Sequence, residues 1–139
     1  MGTVQKSLRI QSDIARSIQE SAESSGRDFS SVTNELLAEA VKVRRCPGIL
    51  FADGPTGRRA RIAGTGIDVW EVVGAYRSLG RNIARLRKAY HWLSEPQLRA
   101  AIGYHKAYPH EIDRLITRNE TWSKQLLAER HPALAADQR

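Results

Sequence analysis

Arg81, Arg85, Arg87 and Lys88 form the densest run of cationic side chains in the sequence, and Arg58, Arg59 and Arg61 form a second. Clustered guanidinium and ammonium groups attract phosphate oxygens and displace their counterions, so nucleic acid is the partner class these residues favour. A merely solvated basic face is the plainer alternative. The 139 residues carry 22 Lys and Arg against 15 Asp and Glu, a net charge of +7. Residues 1–41 hold four bases and six acids, residues 42–99 twelve and four, and residues 100–139 six and five. The surplus therefore comes from the middle of the chain.

Other reactive groups carry less. His105, His110, Glu111 and Asp113 are groups that bind metals or move protons, but their spacing lacks the His-Glu-x-x-His pattern of a zinc helix. Pro109, Glu111 and Asp113 fit the first turn of a helix, whose positive end favours carboxylates. Ser, His and Asp residues occur without a nucleophile elbow to join them. The lone Cys46, next to Pro47, can make neither an internal disulfide nor a zinc site of thiolates. The glycines of DGPTGRR are not followed by Gly-Lys-Ser/Thr, which removes a nucleotide phosphate loop. No catalysis, metal or cofactor is expected. The longest apolar run, Cys46 to Ala52, is too short to cross a bilayer, and the N-terminus turns amphipathic without a secretory core. A cytoplasmic, nucleoid-associated location and no membrane partner are the expectation.

The elements that must hold these groups read as mainly helical with short strands. Val4, Leu8 and Ile10 alternate with Gln5, Ser7 and Arg9, the period of a half-buried strand, broken by Lys6. Ser12 is placed to cap a helix with Ile14, Ile18 and Ala22 on one face and Gly26 at its end. Ser30 or Ser31 is placed to cap a second, with Val32, Leu36, Leu37, Ala40 and Val41 as the buried stripe. One strand without a partner and two short helices supply little core, so two copies pairing their strands across a two-fold axis is the economical solution.

This order of strand, helix and helix over residues 3–43 resembles the ribbon-helix-helix family of repressors, the Arc, MetJ and CopG types among them. The resemblance implies that the paired strands lie in the DNA major groove with Gln5, Ser7 and Arg9 towards base edges, where Arg suits guanine and Gln adenine. It also implies a phosphate held at the start of the second helix by free N–H groups and the Ser30 and Ser31 hydroxyls. An ordinary solvated strand face is the alternative for the three polar residues.

Beyond Pro47, two strand-like runs, Ile49 to Ala52 and Ala60 to Ala63, flank the Asp-Gly-Pro-Thr-Gly turn, which predicts a hairpin with Arg58, Arg59 and Arg61 at or near its tip. Asp68 is placed to cap a helix carrying Val69, Val72, Val73, Tyr76 and Leu79, ended by Gly80. Asn82 begins a short helix with Ile83, Leu86 and Tyr90 inward. Ser94-Glu-Pro-Gln97 has capping-box spacing before a helix with Leu98, Ala101, Ile102 and His105 on one face. These make a trihelical helix-turn-helix arrangement with the hairpin as a wing.

RIAGTGIDVWEVVGAYRSLG and KAYHWLSEPQLRAAIGYHKAYPHEID, within residues 47–113, are similar to a small helix-turn-helix "domain of unknown function" family found in VapB-type antitoxins beside PIN-like ribonuclease toxins. Gly66 stands where that family usually has Arg, and His91-Trp92 replaces its Pro-containing turn. With the helix after Ser94 as recognition helix, Ser94, Gln97 and Arg99 face the groove, and Arg81, Arg85 and Lys88 meet phosphates. The tail keeps a helical rhythm through Ile112, Leu115, Ile116, Trp122, Leu126 and Leu127 to a stop at His131-Pro132, with a frayed ALAADQR end. Trp122 either packs on the middle domain or, as the resemblance implies, anchors a toxin whose acidic site Arg114 or Arg118 reaches. The expected organisation is a ribbon-helix-helix module at 1–45, a winged helix-turn-helix domain at 46–113 and a helical extension at 114–139. The function implied is a homodimeric or higher even-numbered antitoxin that represses its own operon on double-stranded operator DNA and neutralises a cognate toxin. A stand-alone dimeric repressor without a toxin is the alternative.

Overall fold

The computed structural model describes residues 2–54 and 57–130, and of residues 126, 127 and 130 the backbone alone. The Pro55-Thr56 turn, the His131-Pro132 stop and the ALAADQR end lie outside the described residues, as do the side chains of Leu126 and Leu127. Six α-helices and one two-stranded antiparallel sheet make up the described fold, which divides into two compact units, residues 1–42 and 43–139.

In the first unit, residues 2–11 form no strand within the single chain, and Val4 and Leu8 are 80% and 70% exposed. Helix α1 (Ser12–Ser25) is preceded by extended Gln11, so Ser12 is its first residue and not its cap. Gly26 takes a left-handed φ of 67°, letting the Arg27 N–H donate to Ala22 O at 3.0 Å and close the helix as expected. Helix α2 (Phe29–Arg45) is capped by Asp28, whose Oδ1 accepts the Ser31 N–H at 2.7 Å. That replaces the expected Ser30 or Ser31 cap: the carboxylate sits one residue ahead of the helix and reaches its first turn. Burial is slight. Ile18, Ala22 and Val32 form the core with Phe29 against it, whereas Ile14, Leu36, Leu37, Ala40 and Val41 are exposed. The stripe expected to be buried on α2 thus keeps only Val32 inside, because one copy of this unit offers nothing to cover the rest.

The second unit holds the larger core. Strands β1 (Ile49–Gly54) and β2 (Gly57–Ile62) pair from Ile49↔Ile62 to Gly54↔Gly57, as the hairpin reading predicts. Gly48 turns into β1 at φ 89°, and a Cβ there would meet Ala100 Cβ at 3.3 Å, so the hairpin enters closely over the helix that carries Ala100. Helix α3 (Val69–Ser78) begins with the Asp68 N–H donating to Glu71 Oε2 at 2.8 Å. Helix α4 (Ile83–Ala89) is capped by Asn82, whose Oδ1 accepts the Arg85 N–H at 3.1 Å. Helix α5 (Glu95–Ala107) opens with the expected capping box: Ser94 Oγ accepts the Gln97 N–H at 3.2 Å and Gln97 Oε1 accepts the Ser94 N–H at 2.8 Å. Helix α6 (Pro109–Arg130) runs unbroken through residue 113.

Helices α3, α5 and α6 pack on one another, the hairpin lies on α3 and α5, and α4 lies on α3. Val69, Val72, Leu86, Leu98, Ala101, Tyr104 and Ile112 are fully buried between them. The inward face of α5 is Leu98, Ala101 and Tyr104, with Ile102 and His105 at its margin. Tyr104 donates to Glu111 Oε2 at 2.5 Å, and burial, with that carboxylate beside it, pushes its hydroxyl far above the usual range. Among the described residues no helix is long and apolar enough to cross a membrane.

Candidate nucleic-acid interface

The basic cluster of the middle region lies on the outer side of α4. Leu86 is fully buried and fixes the helix on the core, which turns Arg85, Arg87 and Lys88 outward; all three are exposed, as is Arg81. Arg81 adopts a positive φ of 57° directly after Gly80, and its N–H donates to Tyr76 O at 2.8 Å, so the chain folds back to close α3 before α4 begins. A depression lined by Ala84, Arg87, Lys88, His91 and Leu93 continues the basic surface to the turn before α5.

The residues chosen on α5 are already engaged. Ser94 and Gln97 hold the capping box, and Arg99 donates from Nε and Nη2 to Glu95 Oε1 at 3.0 and 2.8 Å. Glu95 Oε2 also lies 3.4 Å from Arg87 Nη1, linking α5 to α4. These cations hold the Glu95 carboxyl below its usual value, the Arg99 hydrogen bond first.

The hairpin arginines divide. Arg58 lies next to the turn and pairs with Asp53 at 3.2 Å. Arg59 folds inward instead, its side chain only 14% exposed, and Arg61 Nε donates to Asp68 Oδ1 at 3.0 Å. Of the three arginines expected at or near the tip, Arg58 stands nearest the turn and is held there by Asp53; Ala60 and Ile62 point into the core, and Asp68 draws the other two guanidiniums towards the start of α3.

In the first unit Gln5, Ser7 and Arg9 are exposed, as are Ser30 and Ser31. The Ser31 N–H, one of the free donors expected to hold phosphate, is taken by Asp28. That bond is the main cause holding the Asp28 carboxyl below its usual value. On α6, Arg114, Arg118 and Trp122 are all exposed, Trp122 at 60%.

Two clusters carried no signal of their kind in the sequence. Asp68, read as a cap, is a buried hub that accepts from Arg61 and from Trp70 Nε1 at 3.2 Å. Arg77, His105 and Asp113 meet where α3, α5 and α6 converge: His105 Nε2 lies 2.8 Å from Asp113 Oδ1, and Arg77 donates to the same oxygen. His105 and Asp113 belong to the four-residue His105, His110, Glu111 and Asp113 group legible in the sequence, but Arg77 stands far from both. One carboxylate oxygen thus ties α3, α5 and α6 together as a clasp between helices. Among the described residues no three His, Cys, Asp or Glu side chains gather in a metal-holding group. Cys46 is partly buried, and burial pushes its thiol up, which makes it a poor nucleophile.

Residues 53–105 match a family described as "Protein of unknown function (DUF433)", a stretch from the turn end of β1 into α5 that falls within the residues read above as similar to a domain-of-unknown-function family. No curated protein and no solved structure matches the chain. At Gly66 the surface is open, with nothing within 4 Å of a Cβ built there.

Proposed function

We propose that this protein is a dimeric DNA-binding repressor and the antitoxin of a toxin-antitoxin pair. The observation that carries the reading is the state of the N-terminal unit. Val4, Leu8, Leu36, Leu37 and Val41 are all exposed in one copy, although their spacing is that of residues made for burial. A second copy, pairing residues 4–10 as antiparallel strands and covering both α2 faces, would bury them in a ribbon-helix-helix dimer. The same pairing would place Gln5, Ser7 and Arg9 together on the opposite side of a two-stranded ribbon, the shape that enters a major groove.

Affinity would come from the second unit as well. The first 41 residues are net acidic, so phosphate attraction falls to the exposed Arg85 and Lys88 on α4 and Arg81 just before it. Helices α3, α4 and α5, with the hairpin as wing, serve in this reading as a helix-turn-helix domain. Arg99 would turn to a base edge by leaving Glu95, while Ser94 and Gln97 approach DNA as a cap. Toxin contact would fall to α6, through Arg114, Arg118 and Trp122.

Sedimentation velocity of the full chain with a duplex taken from its own upstream DNA tests the proposal. An even number of chains per duplex is expected. A single chain per duplex, or no complex, overturns it.

A further inference from the structure

Arg59 is a nearly buried guanidinium that makes no hydrogen bond among the described residues. Its Nε is buried without an acceptor, and its nearest anion, Asp68 Oδ2, lies 3.6 Å from Nη1. Asp68 is already occupied by Arg61 Nε at 3.0 Å and Trp70 Nε1 at 3.2 Å. Two guanidiniums therefore share one carboxylate, and the group keeps one uncompensated positive charge. Buried polar groups are almost always hydrogen-bonded, and a charged one left short of acceptors is costly. The guanidinium lies directly against the backbone of Gly54, where a Cβ would fall 2.4 Å from Arg59 Nη2.

Arg59 forms one wall of a cleft of about 330 Å³ whose other walls are Trp70, Leu115, Arg118, Asn119 and Trp122. That size suits a small ligand. The lining joins two indoles and an aliphatic side chain to two cations and an amide, and Arg118 has no ion-pair partner among the described residues. Guanidinium takes carboxylate by paired N–H donors, and indole faces take flat apolar bodies.

We propose that this cleft binds a small aromatic carboxylate, its carboxylate on Arg59 and Arg118 and its ring against Trp70 and Trp122. The ligand supplies the second negative charge that Asp68 cannot provide, and the buried Nε of Arg59 stays behind the guanidinium, out of its reach. The site requires neither the DNA reading nor the toxin reading, but it shares Arg118 and Trp122 with the toxin contact proposed above, so ligand and toxin would compete there.

The three indole N–H signals of the ¹⁵N-labelled full chain test it, with 2-naphthoate as probe and 2-naphthamide as its neutral counterpart. Trp92 packs on Tyr90 and His91, with ring centroids at 5.4 and 5.0 Å, outside the cleft, and serves as internal reference. Saturable movement of the Trp70 and Trp122 signals by naphthoate, with Trp92 still and the amide about tenfold weaker or worse, is expected. Arg59→Gln and Arg118→Gln should each weaken naphthoate about tenfold. Arg118 is exposed, so its variant decides the matter if Arg59→Gln does not fold. No saturable shift, equal response to the amide, movement of all three indoles together, or undiminished affinity in Arg118→Gln overturns the proposal.

Discussion

Glu95 Oε1 accepts both Nε and Nη2 of Arg99, one helical turn later, while its Oε2 lies 3.4 Å from Arg87 on the neighbouring helix. One carboxylate thus restrains two cations beside the basic face of α4. Exposed pairs of this kind add little stability, so in the DNA-binding reading proposed above the carboxylate would matter more for what it withholds from a phosphate backbone. Glu95→Gln should tighten binding to any duplex and steepen the log–log salt dependence by about one. Fluorescence anisotropy across a salt series measures both, and an unchanged or shallower slope would count against α4 as a phosphate-binding face.

Arg9→Ala is expected to act differently. A side chain reading a base should cost about 1 to 3 kcal/mol on the specific operator and relax sequence preference there. Competition binding against single-base operator variants separates the cases. An equal loss on every sequence would make Arg9 a phosphate contact.

Leu37 is 55% exposed in one copy. If the chain were monomeric, Leu37→Asp would change stability by no more than about 0.5 kcal/mol and leave the mass in solution unaltered. Within a dimer it places a carboxylate in an apolar interface. Light scattering after size exclusion should show the wild type at twice the chain mass and the variant at the chain mass; a dimeric variant would exclude this face of α2 from the interface.

His105 and Arg77 together hold the Asp113 carboxyl below its ordinary value of 3.8, the His105 hydrogen bond first. A lowered folded value makes the clasp's contribution complete above the unfolded value and lost as pH falls through the folded one. Asp113 is 44% exposed, so Asp113→Asn should cost under about 1 kcal/mol at pH 7. The variant should also lose less of its stability than the wild type on acidification below about pH 4. Urea unfolding at neutral and acid pH reads both, and an identical acid response in the two proteins would remove Asp113 from the balance.

Local chemistry made much of the second unit readable in advance. Asn82 and Ser94 hold backbone N–H groups within their own helical turns, and Gly80 is left-handed at φ 70°, so neighbours in sequence sufficed. The hairpin followed from its turn residues for the same reason. What stayed hidden depends on distant groups. Arg59 and Arg61 turn inward because Asp68 awaits them across a turn, and Arg77 meets Asp113 only because α3 packs on α6. Tyr104, overlooked as core, is buried because Glu111 satisfies its hydroxyl. In the first unit the capping serines yielded to Asp28, since a carboxylate just before the helix outcompetes hydroxyls within it. The apolar stripe of α2 was legible as a stripe, but its burial requires a surface that the first unit does not itself supply.

The most direct test of sequence-specific DNA binding is a gel-shift titration of the purified chain against its own upstream DNA. An unrelated fragment of equal length at two salt concentrations provides the comparison. A complex on the upstream fragment that persists at the higher salt while the unrelated fragment is released is the expected result. Weak binding lost equally from both fragments would contradict it.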